Sequence, residues 1–401
     1  MIDAPGPWGT GPFVLTEGFS SINTRIGVMR AEPFAATWLI DTVDRTDTVV
    51  LEANRAHWNP ARVPRLERVV FRNDLTPGEA LERCMTAEGE VDIVTELSPA
   101  DAERVKASEH ARLEVCDANR VLVGIFNRLS PDGLLQDRRV REALNFAVDR
   151  ERVIRDGLAG YANPLPALTP SWCAGYPPGQ APRPHDPPRA RAMLRASAWP
   201  EGRALRIACP EPFAGIAGIV GEHVREALGL ATELQVIPNE DWFAALRIMI
   251  EKKLVPTWDV LLFGWFDLSS EAPPAAVHRE FFGADGAFRA GPVDAEFDRL
   301  YTEMSRELDG GRLVQLAEQI DRYAFDEALG LFLCAPQVLY AVNKQVSFLA
   351  YKTTFELAET EVSERHWSRR DGGGGSAPRP VGTPSPAACR TGSTGFYGKC
   401  C

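Results

Sequence analysis

Between residues 204 and 266 five runs alternate in character: "ALRIAC", "GIAGIVGEHVREALG", "TELQVI", "DWFAALRIMIEKK" and "WDVLLFGWF". The first, third and fifth are short apolar runs of strand length, whereas the second and fourth repeat apolar residues at helical spacing. Two neighbouring strands joined through a helix run parallel, and the crossover is right-handed. The alternation therefore predicts an α/β lobe built on a parallel sheet.

Upstream, "RRVREALNFAVDRERVI" at 138 to 154 sets five arginines and three acids around Val140, Ala143, Leu144, Ala147 and Val148. That spacing gives one apolar stripe, so a helix is expected with its arginines facing water and neighbouring acids. Asp149 is placed to cap a second helix carrying Val153, Ile154 and Leu158, stopped by Gly160. Nine of the 25 residues from 164 to 188 are proline, which predicts an extended segment draped over a surface. Asp186 followed by Pro187 then opens another helix.

Nearer the start, the glycines of "GPWGTGPF" read as a turn, since neither the Lys-Ser/Thr of a phosphate loop nor a preceding strand is present. "TVVLEANRAHW" and "LERVVFRN" read as strands. Thr76, Pro77 and Glu79 form a capping-box pattern ahead of Leu81, Cys84 and Met85, and Ser98, Pro99 and Asp101 repeat the device. "ARLEVCDANRVLVGIFN" returns to strands, giving a compact α/β unit. Helices are expected near 294 to 308 and 312 to 328, followed by the apolar run "LGLFLCAPQVLYAV". After residue 370 the chain becomes rich in Gly, Pro, Ser and Thr without periodicity, the composition of a disordered tail.

Composition narrows the function classes. With 55 Asp and Glu against 44 Lys and Arg, the overall field repels polyphosphate, and no segregated basic patch stands out, so nucleic acid is not an expected partner. The eight cysteines include no CxxC pair, and no His stands at zinc-finger spacing, so neither a metal centre nor a dense disulfide framework is indicated. No GxSxG elbow or HExxH helix occurs, and the paired acids of "NEDW" at 239 to 242 resemble a helix cap more than a catalytic dyad. No catalytic residues, metal ligands or cofactor are assigned. The sequence shows neither a signal-peptide pattern nor an apolar run of membrane-spanning length, so a soluble chain is expected.

Taken in order, "GTGPF", "VVLEANRAHW", "GEVDIV", "SPADAERVK", "FN", "RRVREALNFAVDRERVI", "HDPPRARAML", "WDVLLFGW" and "LYAVNKQV" resemble the bacterial extracellular solute-binding proteins of family 5, the peptide, dipeptide and nickel class. The resemblance covers about residues 9 to 367. It implies a periplasmic binding protein-like fold of type II, with two α/β lobes that enclose a ligand, here lacking the N-terminal extra lobe of the family. Implied boundaries are 1–127 for a partial first lobe, 128–337 for the second, 338–367 for a return segment and 368–401 for the tail. The implied function is the substrate-binding component of an ABC importer. It binds a small peptide-like solute without chemistry, has the permease subunits as partners and works in the periplasm or cell envelope. A cytosolic ligand-sensing module of the same fold, or a non-functional fragment, is the alternative. Residues 20 to 46 form an insertion with no functional reading.

Candidate ligand residues follow from the same resemblance. Family members carry Gly-Trp followed by an Asp that pairs with a peptide amino terminus, and "FGWFDLSS" places Trp265 and Asp267 there. Asp267 stands one residue nearer the Trp than in the peptide-binding pattern, which on a strand swaps its face. Phe126 and Asn127, at the expected first hinge crossing, are further candidates, set against ordinary loop packing. Trp172 in the proline-rich segment is placed to stack on a ligand or to pin that segment down.

Overall fold

In the computed structural model, the described residues are 9–18, 46–87, 89–95, 97–253, 256–266, 275–352 and 355–370. They divide between two compact units, one of 117–337 and the other of the remainder. Residues 19–45, Asp267 and the tail beyond 370 lie outside the described set, and with them most of the proposed insertion.

The first unit opens with strands β1 (Phe13–Glu17), β2 (Thr48–Ala53) and β3 (Arg68–Arg72), paired antiparallel in that order. Helix α1 (Pro77–Cys84) starts as expected. The Thr76 side chain accepts from Glu79 N–H, and the Glu79 carboxylate accepts from Thr76 N–H at 2.9 Å. Its inner face buries Leu81 and Cys84. After β4 (Ile93–Val94), Ser98 caps a short 3-10 turn that runs into α2 (Ala102–Lys106), and β5 (Ala111–Cys116) follows.

The second unit holds β6 (Arg120–Phe126), α3 (Arg138–Ala147), α4 (Arg150–Leu158), β7 (Ala162–Pro164), α5 (Pro187–Arg195), β8 (Leu205–Pro210) and α6 (Ala214–Leu228). It continues with β9 (Thr232–Ile237), α7 (Asn239–Ile250), β10 (Val260–Phe266), α8 (Ala275–Phe282), α9 (Ala295–Ser305), α10 (Gly310–Asp326) and β11 (Gly330–Pro336). The chain then returns to the first unit as β12 (Val338–Asn343), which is buried along its whole length and pairs antiparallel with both β4 and β5. Strands β13 (Val346–Ser347) and β14 (Glu361–Val362) pair, and the short helix α11 (Trp367–Arg370) ends the described part.

The second unit's sheet has the order β7-β11-β6-β10-β8-β9. Strands β10, β8 and β9 are parallel, as their intervening helices require, but β10–β6, β6–β11 and β11–β7 are antiparallel. A parallel sheet therefore describes only half of the lobe. The reason is connectivity: β6 begins where the chain enters this unit and β11 ends where it leaves, so neighbours sharing one entry edge must run in opposite directions. The entry itself falls at Cys116/Asp117 rather than after Asn127. Strand β6 is an interior strand of this sheet and cannot belong to the first unit.

One face of the sheet packs Leu122, Phe126, Leu205, Ile207, Val260, Leu262, Leu331 and Leu333 against Val140, Leu144, Val153, Ile154, Ile216, Val220 and Val224 of α3, α4 and α6. The apolar stripe anticipated in 138 to 154 thus does face a core. Its arginines do not all face water, because Arg141 and Arg150 are buried, at 4% and 5% exposure. Arg141 donates to the carbonyls of Ala328, Leu135, Gln136 and Glu327, which α-helical sequence spacing has no means of revealing.

Two more expectations change. Residues 165 to 170 are buried rather than draped over a surface. The Asp321 carboxylate makes this possible by accepting from Leu168 N–H and Thr169 N–H, both at 3.2 Å, in a place without regular secondary structure. The "NEDW" stretch provides no side-chain cap: Pro238 is the N-cap of α7, and Asn239 N–H donates instead to Glu211 Oε2 at 3.3 Å.

Candidate functional site

In an open α/β sheet, ligands settle beyond the carboxyl ends of the parallel strands, where loops converge and backbone groups are unpaired. In the second unit that edge contains the end of β10 and, antiparallel to it, the beginning of β6: Trp265 lies opposite Val121, and Phe266 opposite Arg120. The edge is also the one at which the chain enters at Asp117 and leaves at Gln337.

A polar cluster is built there from side chains far apart in sequence. The Oδ1 of Asp117 accepts from Asn163 Nδ2 and from Gln337 Nε2, both at 2.9 Å. Asn119, 4% exposed, accepts through Oδ1 from Trp172 Nε1 at 3.2 Å and from the Cys173 thiol at 3.1 Å. Arg120 and Trp172 are half-buried. A loop without helix or strand must be held by side chains if it is to present Trp172 reproducibly, and Asp321 supplies the hold. Fully buried, it accepts from the Thr169 hydroxyl at 3.1 Å and sits 2.7 Å from His278 Nε2. The Tyr176 hydroxyl closes the same loop by donating to Gln180 O at 2.6 Å. Burial, and then the Asp321 charge, push the Tyr176 phenol above its ordinary pKa, so it remains a donor at neutral pH.

Trp265 stands on an aromatic base. Its ring meets Phe288 edge-on at 5.0 Å and Phe281 edge-on at 6.3 Å, and lies 5.8 Å from Phe263. These contacts fix the indole while leaving it half-buried. Rigid indole surface and amide and carboxylate acceptors at one end of the sheet can hold a small polar molecule: the ring covers apolar or planar parts and the polar groups set its orientation.

Of the residues expected from the sequence, Trp265 and Trp172 reach this edge. Phe126 and Asn127 do not. Phe126 lies opposite Val260 while Val121 lies opposite Trp265, so at ~3.3 Å per residue they are separated by about 17 Å along the strand. Phe126 is in the core at 2% exposure. Asn127, 1% exposed, donates from Nδ2 to Trp258 O at 3.0 Å and accepts from Leu129 N–H at 3.1 Å, which makes it a clamp on the opposite end of the sheet. Asp117, Asn119 and Arg120 were missed, although the polar break "DANR" between two strand-like runs was their signal. Asn163 and Gln337 had none. Among the described residues no three His, Cys, Asp or Glu side chains lie close enough to hold a metal ion.

The family pattern described as "Bacterial extracellular solute-binding proteins, family 5 Middle" matches residues 3–279, more than half of the chain. The chain belongs to this family. Its fold is that of the type II periplasmic binding proteins, as solved structures also indicate. The substrate-binding protein CtaP of Listeria monocytogenes aligns over 89% of this chain and 67% of its own, with a TM-score of 0.70 and 17% identity. DppA of Helicobacter pylori, solved with the peptide STSA, aligns over 79% and 60% respectively, with a TM-score of 0.61 and 17% identity. In sequence, the glutathione-binding protein GsiB of Shigella flexneri is 24% identical over 163 residues, which are 41% of this chain and 31% of GsiB. The chain therefore matches less than a third of that relative's length. Members of this family are solute-binding, extracytoplasmic components of ABC transporters. No helix among the described residues is long and apolar enough to cross a membrane.

Proposed function

We propose that this family 5 chain is the substrate-binding component of an ABC importer, and that it binds a small peptide-like solute noncovalently and performs no chemistry. The reading rests on one observation: Asp117, Asn119, Trp172 and Trp265 lie at the carboxyl end of the parallel strands, at the edge where both connections to the first unit leave the sheet. Indole surface and side-chain amides suit a ligand with a peptide backbone. In this reading 117–337 is one lobe, the rest of the described chain contributes to the other, the two connections act as the hinge, and the permease subunits receive the loaded protein at the cell envelope. Phe126 and Asn127 support the sheet rather than the ligand.

The test is isothermal titration of the 401-residue chain with glutathione, di- and tripeptides and a nickel–histidine complex, alongside Trp265→Ala and Trp172→Ala. Saturable binding of a peptide-like ligand, weakened about tenfold or more by either substitution, is the expected result. Flat titrations with every ligand, together with turnover of any of them, would overturn it.

A further inference from the structure

Arg128 lies just past the end of β6, at the sheet end opposite Trp265, and is 8% exposed. Its backbone N–H donates to Ala290 O at 2.7 Å, which anchors the residue to the segment leading into α9. Among the described residues, no side-chain hydrogen bond or ion pair reaches its guanidinium. The contrast with Arg141 and Arg150 is sharp, since those equally buried forks are filled by carbonyl oxygens.

The guanidinium lies against Gly291, where a Cβ would stand 2.6 Å from Nε and 2.7 Å from Nη2. Only a glycine lets the fork approach the backbone this closely. Arg289 turns back on the same segment, donating from Nη1 to Gly291 O and from Nε to Ala284 O at 3.1 Å. The groups whose charges reach Arg128 are Asp294, Tyr323 and Glu327 on one side of the balance, and Arg289 and Arg141 on the other. Both carboxylates are engaged elsewhere. Asp294 Oδ1 caps α9 at Phe297 N–H (3.1 Å) and accepts from the Tyr323 hydroxyl (2.9 Å), and Glu327 pairs with Arg138 at 2.9 Å.

A guanidinium that is 8% exposed and has no protein acceptor keeps only a thin contact with water, and mutually repelling guanidinium groups add to that cost. A small anion removes both penalties, whereas water removes only the first. Planar N–H pairs of arginine match an oxyanion in two places at once. We propose that the second unit carries an oxyanion site at Arg128, bounded by Gly291 and Arg289, which takes inorganic phosphate or an equivalent small oxyanion. It is separate from the Trp265 edge and does not depend on the solute-binding reading.

Titration calorimetry and thermal melts of the 401-residue chain with inorganic phosphate, against chloride at matched ionic strength, test it. The expected result is one saturable site and a rise in Tm specific to phosphate, both lost in Arg128→Gln. Arg128→Lys provides a second measure that does not depend on folding of the Gln variant: it keeps the charge but loses the fork, and should bind phosphate about tenfold more weakly. No saturable binding by the natural chain, or the same affinity in the Lys variant, would overturn the proposal.

Discussion

Arg150 donates from Nη2 to Asn145 Oδ1 at 2.8 Å, with both side chains buried. The same guanidinium donates from Nε to Phe332 O at 2.6 Å and from Nη1 to the carbonyls of Asn145 (3.0 Å) and Arg183 (3.1 Å). One side chain thus ties the end of α3 and the start of α4 to β11 and the proline-rich segment. Burial pulls its pKa down to about 10, which leaves it charged at neutral pH. Removing it strands several buried carbonyls, so Arg150→Ala should lower stability by about 3–5 kcal/mol. Arg150→Lys should rescue little, because an ammonium cannot span the fork. Urea unfolding checks both. Arg152→Ala, which removes an arginine paired only with partly exposed acids, should stay within about 0.5 kcal/mol.

Gly124 lies in the middle of β6, where a Cβ would stand 2.8 Å from Val260 Cγ1 and 2.9 Å from Leu331 Cβ, one on each neighbouring strand. Neither partner can retreat without moving its strand. Gly124→Ala should therefore cost about 1–3 kcal/mol. Gly215→Ala, in the first turn of α6 with nothing within 4 Å, should be neutral or stabilising by up to about 1 kcal/mol. Equal midpoint shifts for the two variants in denaturant melts would contradict this.

His223 is 2% exposed, and neither ring nitrogen has a partner among the described residues. Burial first, then the Arg152 charge and that of His185, hold its pKa below the ordinary imidazole value, against the opposing pull of Asp149 and Glu226. The folded state therefore binds the proton less readily than the unfolded chain. Its contribution is fully present above about pH 6.5, the unfolded value, and is lost as pH falls through the lower folded value. Unfolding free energy should decline from pH 7.5 towards pH 5.5, and His223→Leu should flatten that slope. Parallel slopes for the two proteins would show that other groups carry it.

Local patterns were legible wherever the cause is local. The capping box at Thr76 and Glu79, the side-chain caps at Asp149 and Asp186 and the apolar stripe of α3 all depend on residues within a turn or two of one another. Trp265 became a candidate only through the resemblance to the family's Gly-Trp followed by Asp, carried here by Gly264, Trp265 and Asp267. Its counterparts Asp117 and Asn119 went unread because their roles require Asn163, Gln337 and Trp172 to arrive from distant segments. The same limit explains Arg141 and Arg150. Helical spacing says which residues share a stripe, but not that a charged neighbour will turn inward to meet the carbonyls of β11 and of the segment before it.

The sequence alone determined the alternation of strands and helices from β8 to β10, and with it the parallel half of the second sheet, because a strand followed by a crossover helix has one sterically favoured return. It also determined the family, through motifs in a fixed order. Tertiary structure decided the antiparallel half, the crossing at Cys116/Asp117, and that Trp265 and Arg128 stand at opposite ends of the paired strands β6 and β10. Those outcomes depend on the pairing of strands that are more than a hundred residues apart, where no local propensity acts and only hydrogen-bond register and shared burial select the arrangement.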